Sequence, residues 1–378
     1  MVNAIYMDAA ASTPPYGEVL DKYVYTASSF YANPASAHQY GKATAQLLDD
    51  ARTHIREILG LPNWQVIFTA GATESNNWVL RQVPLPAGAR VVISAVEHAS
   101  VRNAAMQAAR DHQWNLEFLP VRPDGTFTAE TIEKLIHNPP DALSIMAVNN
   151  ETGVILPVVE IARQLREAGA RTFFHVDAVH AVANGVWPAS VDGISALTLS
   201  AHKFHGPRGC GMLLLAPHVQ LPPLLVGGAQ ENGLRSGTVN VPGAVASAFA
   251  LALAWERRNT TFFTLGKQLA QRVVHELPGV KLLGEGAPRV PWICMFAVPG
   301  MRGDALVRML DIEGVEVSSG SACASGRQGL SPTLSAMKAD FRMGYVRFSL
   351  HTLHTQQDID EAISRFSNVF SRYALPPL

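Results

Sequence analysis

Between about residues 45 and 255, short apolar runs alternate with stretches whose apolar positions recur at helical spacing. Residues 65–68, 91–94, 143–148 and 172–178 read as strands, each a compact apolar or β-branched run bounded by glycine, proline or polar groups. A fifth apolar run ends at Ser200, and residues 47–59 and 158–168 carry the clearest helical period. Such alternation is the signature of βαβ units and predicts an α/β fold around a mostly parallel sheet. Ligands of open α/β sheets bind beyond the carboxyl ends of the strands, so the residues after each run are where chemistry is expected.

The pattern changes after Trp255. A long helical segment, strands around Lys281 and Ile293, and a closing helix over residues 358–370 predict a second unit. A chain of 378 residues is also long enough for two packed units. No internal repeat or low-complexity tract interrupts it.

Composition narrows the function classes. With 48% hydrophobic and 16% charged residues the chain can bury a large core, and a net charge of −1 gives no electrostatic footprint for nucleic acid. The first fifteen residues hold no charged leader pattern, and no apolar run reaches the roughly 18 residues of a membrane span. The longest apolar stretch, residues 241–255, is interrupted by Pro242 and Gly243 and closed by Glu256, Arg257 and Arg258. A cytoplasmic enzyme without nucleic-acid or membrane partners is expected.

The candidate chemistry lies at the strand ends. Ser200-Ala201-His202-Lys203 closes the fifth run and leads into a glycine-rich loop. An amine held there can form a Schiff base with a carbonyl cofactor, although a lone lysine on a turn is more often merely solvated. Asp177 ends the run 172–178, where a carboxylate can keep a pyridinium nitrogen protonated, the pairing that pyridoxal phosphate needs to act as an electron sink. Gly71-Ala72-Thr73 after the first strand begins a predicted helix and suits a phosphate, or is an ordinary βα loop. His98, after the second strand, offers a ring face for stacking, and Asn149-Asn150 brings amides to a third strand end. Three cysteines with no CxxC pair argue against a disulfide framework or zinc site. Cys210 and Cys294 sit in apolar runs, whereas Cys323 lies among small polar residues near Arg327, where a thiolate is favoured.

These pieces, with Tyr6-Met7-Asp8, Asn33-Pro34-Ala35-Ser36, Arg235-Ser236-Gly237-Thr238 and Ser318-Ser319-Gly320-Ser321-Ala322-Cys323, run in order along almost the whole chain. Together they resemble the cysteine desulfurases of the NifS/IscS type, within the class V aminotransferases. The resemblance implies a pyridoxal phosphate enzyme of fold type I, the aspartate-aminotransferase-like fold, with a large domain over residues 16–255 and a small domain formed by 1–15 and 256–378. Its implied activity is conversion of L-cysteine to L-alanine with a persulfide on Cys323, supplying sulfur for iron–sulfur clusters or other thio-cofactors through an acceptor protein. A homodimer is implied as well.

Carried over residue by residue, Lys203 would bind the cofactor and move the Cα proton, Asp177 would pair with the pyridine nitrogen, and His98 would stack on the ring as a catalytic residue. Ala72, Thr73, Ser200 and His202 would hold the phosphate, joined by Thr238 of the partner subunit. Asn150 and His180 would lie near the phenolic oxygen, and Asn33 and Arg347 would bind the substrate carboxylate, Arg347 as a bidentate fork. His180 stands where the family usually has glutamine, and an imidazole can titrate near neutral pH where an amide cannot. Trp292 stands where asparagine is frequent. A selenocysteine lyase or another pyridoxal phosphate-dependent C–S β-lyase is the alternative activity.

Overall fold

The computed structural model describes residues 4–182, 191–258, 260–320 and 329–373. Among them, twelve strands form three sheets. In chain order these are β1 (Ile5–Tyr6), β2 (Gln65–Thr69), β3 (Arg90–Ser94), β4 (Asn115–Leu119), β5 (Ala142–Ser144), β6 (Phe173–Asp177), β7 (Ala196–Ser200), β8 (Gly211–Leu215), β9 (Lys281–Leu282), β10 (Ile293–Val298), β11 (Val315–Glu316) and β12 (Gly344–Ser349).

Seven of them make the main sheet, in the order β2-β8-β7-β6-β5-β3-β4. All neighbours pair in parallel except β8, which is antiparallel to β2 and β7. The carboxyl ends of β2, β3, β5, β6 and β7 therefore lie along one edge. Apart from the edge strand β4, which is largely exposed, the strands are buried on both faces, which is why they read as continuous apolar runs rather than alternating ones. On β8, Met212 and Leu214 pack with one core cluster, while Leu213 and Leu215 face a second around Trp78 and Val79 of the helix Ala72–Gln82.

Helix Val241–Glu256 lies over the first face and is apolar on nearly all sides, as a buried helix must be. The proline and glycine that interrupt its sequence both fall in its first turn. Pro242 needs no N–H there, and Asn240 caps the helix by accepting from Gly243 N at 3.0 Å. Gly243 leaves room for Cys210, since a Cβ would lie 2.4 Å from its Sγ. The helix predicted over residues 47–59 begins earlier and spans Gln39–Leu59, because His38 Nδ1 accepts from Gly41 N and starts it in a stretch with no apolar stripe. The run 143–148 is regular strand only to Ser144, but Ile145 and Ala147 still donate to His175 and Asp177 carbonyls of β6.

The second sheet, β12-β10-β9, is antiparallel. The N-terminal arm is hydrogen-bonded beside it: β1 pairs with β11, and Asp8 forms a parallel bridge with Ser349 of β12. No described helix is long and apolar enough to cross a membrane.

Gly153 fixes the loop after β5 against β10. Its φ is +76°, and a Cβ would meet Ile293 O at 2.7 Å. Gly153→Ala should cost roughly 2–4 kcal/mol from combined backbone strain and clash. Gly60→Ala, also at positive φ but with nothing within 4 Å of the new Cβ, should cost about 1 kcal/mol. Differential scanning calorimetry of both variants checks the contrast, and equal melting temperatures would contradict it.

Candidate active site

The five strand ends open onto one cavity of about 850 Å³. From β2 come Ala72 and Thr73, from β3 His98, from the segment after β5 Asn150, from β6 Asp177 and His180, and from β7 Ser200, His202 and Lys203. Arg347 reaches the same cavity from β12. Ten of the sequence-derived candidates thus line a single space. Asn33 and Thr238 do not line it within this chain: both are exposed, and Asn33 Oδ1 accepts from its neighbour Ala35 N at 2.9 Å. Cys323 lies outside the described residues.

Lys203 ends a single 3-10 turn, Ala201–Lys203, that continues directly from β7. Its Nζ donates to the carbonyls of Ala10 at 2.6 Å and Ala11 at 2.9 Å, so the N-terminal arm aims the amine. Asp177, buried at the end of β6, is fixed at both oxygens. Oδ1 accepts from Val179 N at 3.1 Å and Oδ2 from Asn76 Nδ2 at 2.9 Å. Asn76 gives its other proton to Ser100 Oγ, whose hydroxyl then donates to His98 Nδ1 at 2.8 Å. With Nδ1 an acceptor also for Ser100 N, the ring proton of His98 sits on Nε2. Asn76 and Ser100 orient the carboxylate and the imidazole together. Residue types alone did not single them out, but Asn76 lies one helical turn beyond Ala72 and Thr73, so it shares their face.

The imidazoles are neutral. Burial lowers the pKa of His98, an effect the Asp177 carboxylate partly offsets. His202 is pushed down to about 4, mainly by burial and also by the Lys203 and Arg208 cations. His180 is held well below its usual value, first by burial and then by Lys203 and Arg347. An imidazole can titrate near neutral pH, but burial and the neighbouring cations disfavour the charged form of His180 here. Cys210 and Cys294 are buried and their thiols raised by that burial, which makes them poor nucleophiles.

The residues present suit pyridoxal phosphate. The helix Ala72–Gln82 starts at Gly71 without a side-chain cap, so its first N–H groups face the cavity as phosphate donors beside Thr73. A fixed carboxylate, a neutral imidazole and a lysine amine supply the remaining partners.

The sequence profile of the class-V aminotransferases matches residues 5–362. The chain belongs to that family. Class-V aminotransferases are pyridoxal phosphate enzymes. The chain is 36% identical to a cysteine desulfurase of Cereibacter sphaeroides, covering 95% of this chain and 94% of that protein. It is 33% identical to a NifS/IcsS protein homolog of Lactobacillus delbrueckii subsp. bulgaricus, covering 98% of each. Among solved structures, a NifS-like protein superimposes with a TM-score of 0.88 at 29% identity, covering 98% of this chain and 100% of that one. A structure of SspA in complex with cysteine superimposes with a TM-score of 0.76 at 26% identity, covering 91% of this chain and 98% of that one.

Glu97, beside His98, yields a pH prediction. Its Oε1 accepts from Ser94 Oγ and from Met146 N at 2.7 Å, while Oε2 is buried without a partner. Burial raises its pKa to about 8. A raised acid stabilises the fold fully below its unfolded value, near 4.5, and loses that contribution as pH rises through 8. Glu97→Gln, which carries no proton to lose, should flatten the fall in melting temperature between pH 5 and 8. Parallel declines in wild type and variant would show that Glu97 is ionised in the fold.

Proposed function

We propose that this chain is a pyridoxal phosphate-dependent cysteine desulfurase that takes sulfur from L-cysteine, leaves L-alanine and carries the sulfur as a persulfide on Cys323. The reading is carried by the shared cavity of Lys203, Asp177, His98 and Arg347 at the carboxyl ends of the sheet, in a chain matched nearly end to end by cysteine desulfurases.

Bound pyridoxal phosphate would supply a protonated ring able to take up electrons released at the substrate's Cα. Asp177 would keep that proton on the ring nitrogen, and the Asn76 and Val179 donors hold its carboxylate in place. The neutral ring of His98 would cover the cofactor face without adding charge. Ala72, Thr73, Ser200 and His202 would hold the phosphate, and Asn150 with His180 would lie at the phenolic oxygen. Arg347 and, by the resemblance, Asn33 would take the substrate carboxylate. Lys203 would hold the cofactor and, once displaced by the substrate amine, move the Cα proton. The thiolate of Cys323 would attack the substrate sulfur, forming an S–S bond as the C–S bond breaks with its electron pair left on carbon. A proton delivered to that carbon completes alanine.

Three further assignments belong to this reading. The exposed Thr238 would enter the partner subunit's phosphate site in a homodimer, and the persulfide would pass to an acceptor protein. The large unit would span residues 16–255 and the small one 1–15 with 256–378.

Lys203→Ala should abolish alanine formation. Borohydride reduction of the wild type followed by peptide mapping should place the pyridoxyl group on Lys203, and a label on any other lysine would defeat the assignment. Cys323→Ser should still bind L-cysteine, seen as a change in the cofactor's absorbance, but make almost no alanine and carry no persulfide. Cys210→Ser and Cys294→Ser should stay active. Sulfide release by Cys323→Ser at the parental rate would favour a β-lyase instead.

A further inference from the structure

Arg347 is 1% exposed and would be costly to leave as an unpaired cation. Its Nη2 donates to Asp8 Oδ1 at 2.6 Å and its Nη1 to Asn150 O at 2.9 Å. Its Nε is buried with no hydrogen-bond partner. Asp8 is the one carboxylate among the described residues within ion-pair distance of it. Backbone pairing fixes this carboxylate: Asp8 bridges Ser349, two residues beyond Arg347 on β12, and Ala9 N donates to Ser349 O at 3.2 Å.

From this geometry we infer that Asp8 is a standing counter-ion of Arg347 that makes the fork select amino acids over bare carboxylates and inorganic anions. The inference rests on the reading of Arg347 as the substrate's carboxylate fork. The Asp8–Arg347 pair is neutral as it stands. An α-amino acid arrives as a zwitterion and leaves the local sum at zero, its ammonium offsetting the second carboxylate. A carboxylate without an amine adds an uncompensated negative charge beside Asp8 in a region screened little by water or salt. The remaining groups around the fork do not remove that penalty. Glu151 can only add negative charge, His180 is neutral, and in the holoenzyme that this reading implies Lys203 is committed to the cofactor rather than to the fork. A positively charged fork without Asp8 would bind the common anions of a cell indiscriminately.

The test is calorimetric titration of the holoenzyme with two probes, L-alanine and 3-mercaptopropionate, the latter being cysteine without its amine. Asp8→Asn keeps the size and the acceptor oxygen but removes the charge. It should bind 3-mercaptopropionate roughly tenfold tighter than wild type does, while L-alanine changes by less than about threefold. In an Arg347→Gln background the effect of Asp8→Asn should vanish, because its origin is the pair. Asp8→Glu, which keeps the charge, should retain the wild-type discrimination and covers the case in which Asp8→Asn folds poorly. Unchanged or weaker 3-mercaptopropionate binding by Asp8→Asn would overturn the inference, as would an equal gain for both probes or loss of discrimination in Asp8→Glu. The titrations need no turnover, so a protein that shows this contrast yet makes no alanine from L-cysteine would refute the desulfurase reading and leave the counter-ion role standing.

Discussion

A guanidinium buried to 1% exposure has to be neutralised and hydrogen-bonded before anything stable can be built around it. Arg347 meets that demand by drawing three distant parts of the chain together. Asp8 comes from the N-terminal arm, the Asn150 carbonyl from the loop after β5, and the strand itself is paired with Met295 of β10 and with Ser318. The arm so fixed then aims Lys203 through the carbonyls of Ala10 and Ala11. The arm, held by its backbone pairing with β11 and β12, thus supplies both the carbonyls that aim the amine and the carboxylate that neutralises the fork.

The imidazoles of the cavity add no charge to it. Burial holds the rings of His98, His180 and His202 neutral, and Asp177 is satisfied by neutral donors rather than by a cation within ion-pair distance. A carboxylate held this way keeps its full attraction for a ring proton, whereas one paired with arginine would share it. Glu151 anchors Ser331, whose Oγ donates to Oε2 at 2.6 Å, and its own pKa is raised by burial.

The strand ends were legible in the sequence because strands buried on both faces must be apolar throughout, and polar residues such as Asp177 and Ser200 stand out where they stop. The pairing of Asp8 with Arg347 spans 339 positions, and no local pattern announces a contact at that distance. Asn76 was hidden for another reason: on an amphipathic helix an asparagine reads as solvent-facing, and only the packing of that helix against β6 turns it toward Asp177. Neutrality of His180 was equally invisible, since a ring's pKa is set by burial and neighbouring cations rather than by residue type. Thr238 and Asn33 received their roles from resemblance alone, and within one chain neither lines the cavity.

The N-terminal arm has a consequence for biosynthesis. At a translation rate of roughly 5–20 residues per second, Asp8 is added to the chain about 20–70 s before Arg347. During that interval the strands of the main sheet can pair among themselves, but β1 has no β11 and Asp8 no guanidinium. Nascent or truncated chains ending before β12 would hold the lysine, the aspartate and the phosphate loop without the anion fork. Completion of the chain, rather than formation of the large sheet, is then the event that creates a substrate site, and fragments released early would not acquire one.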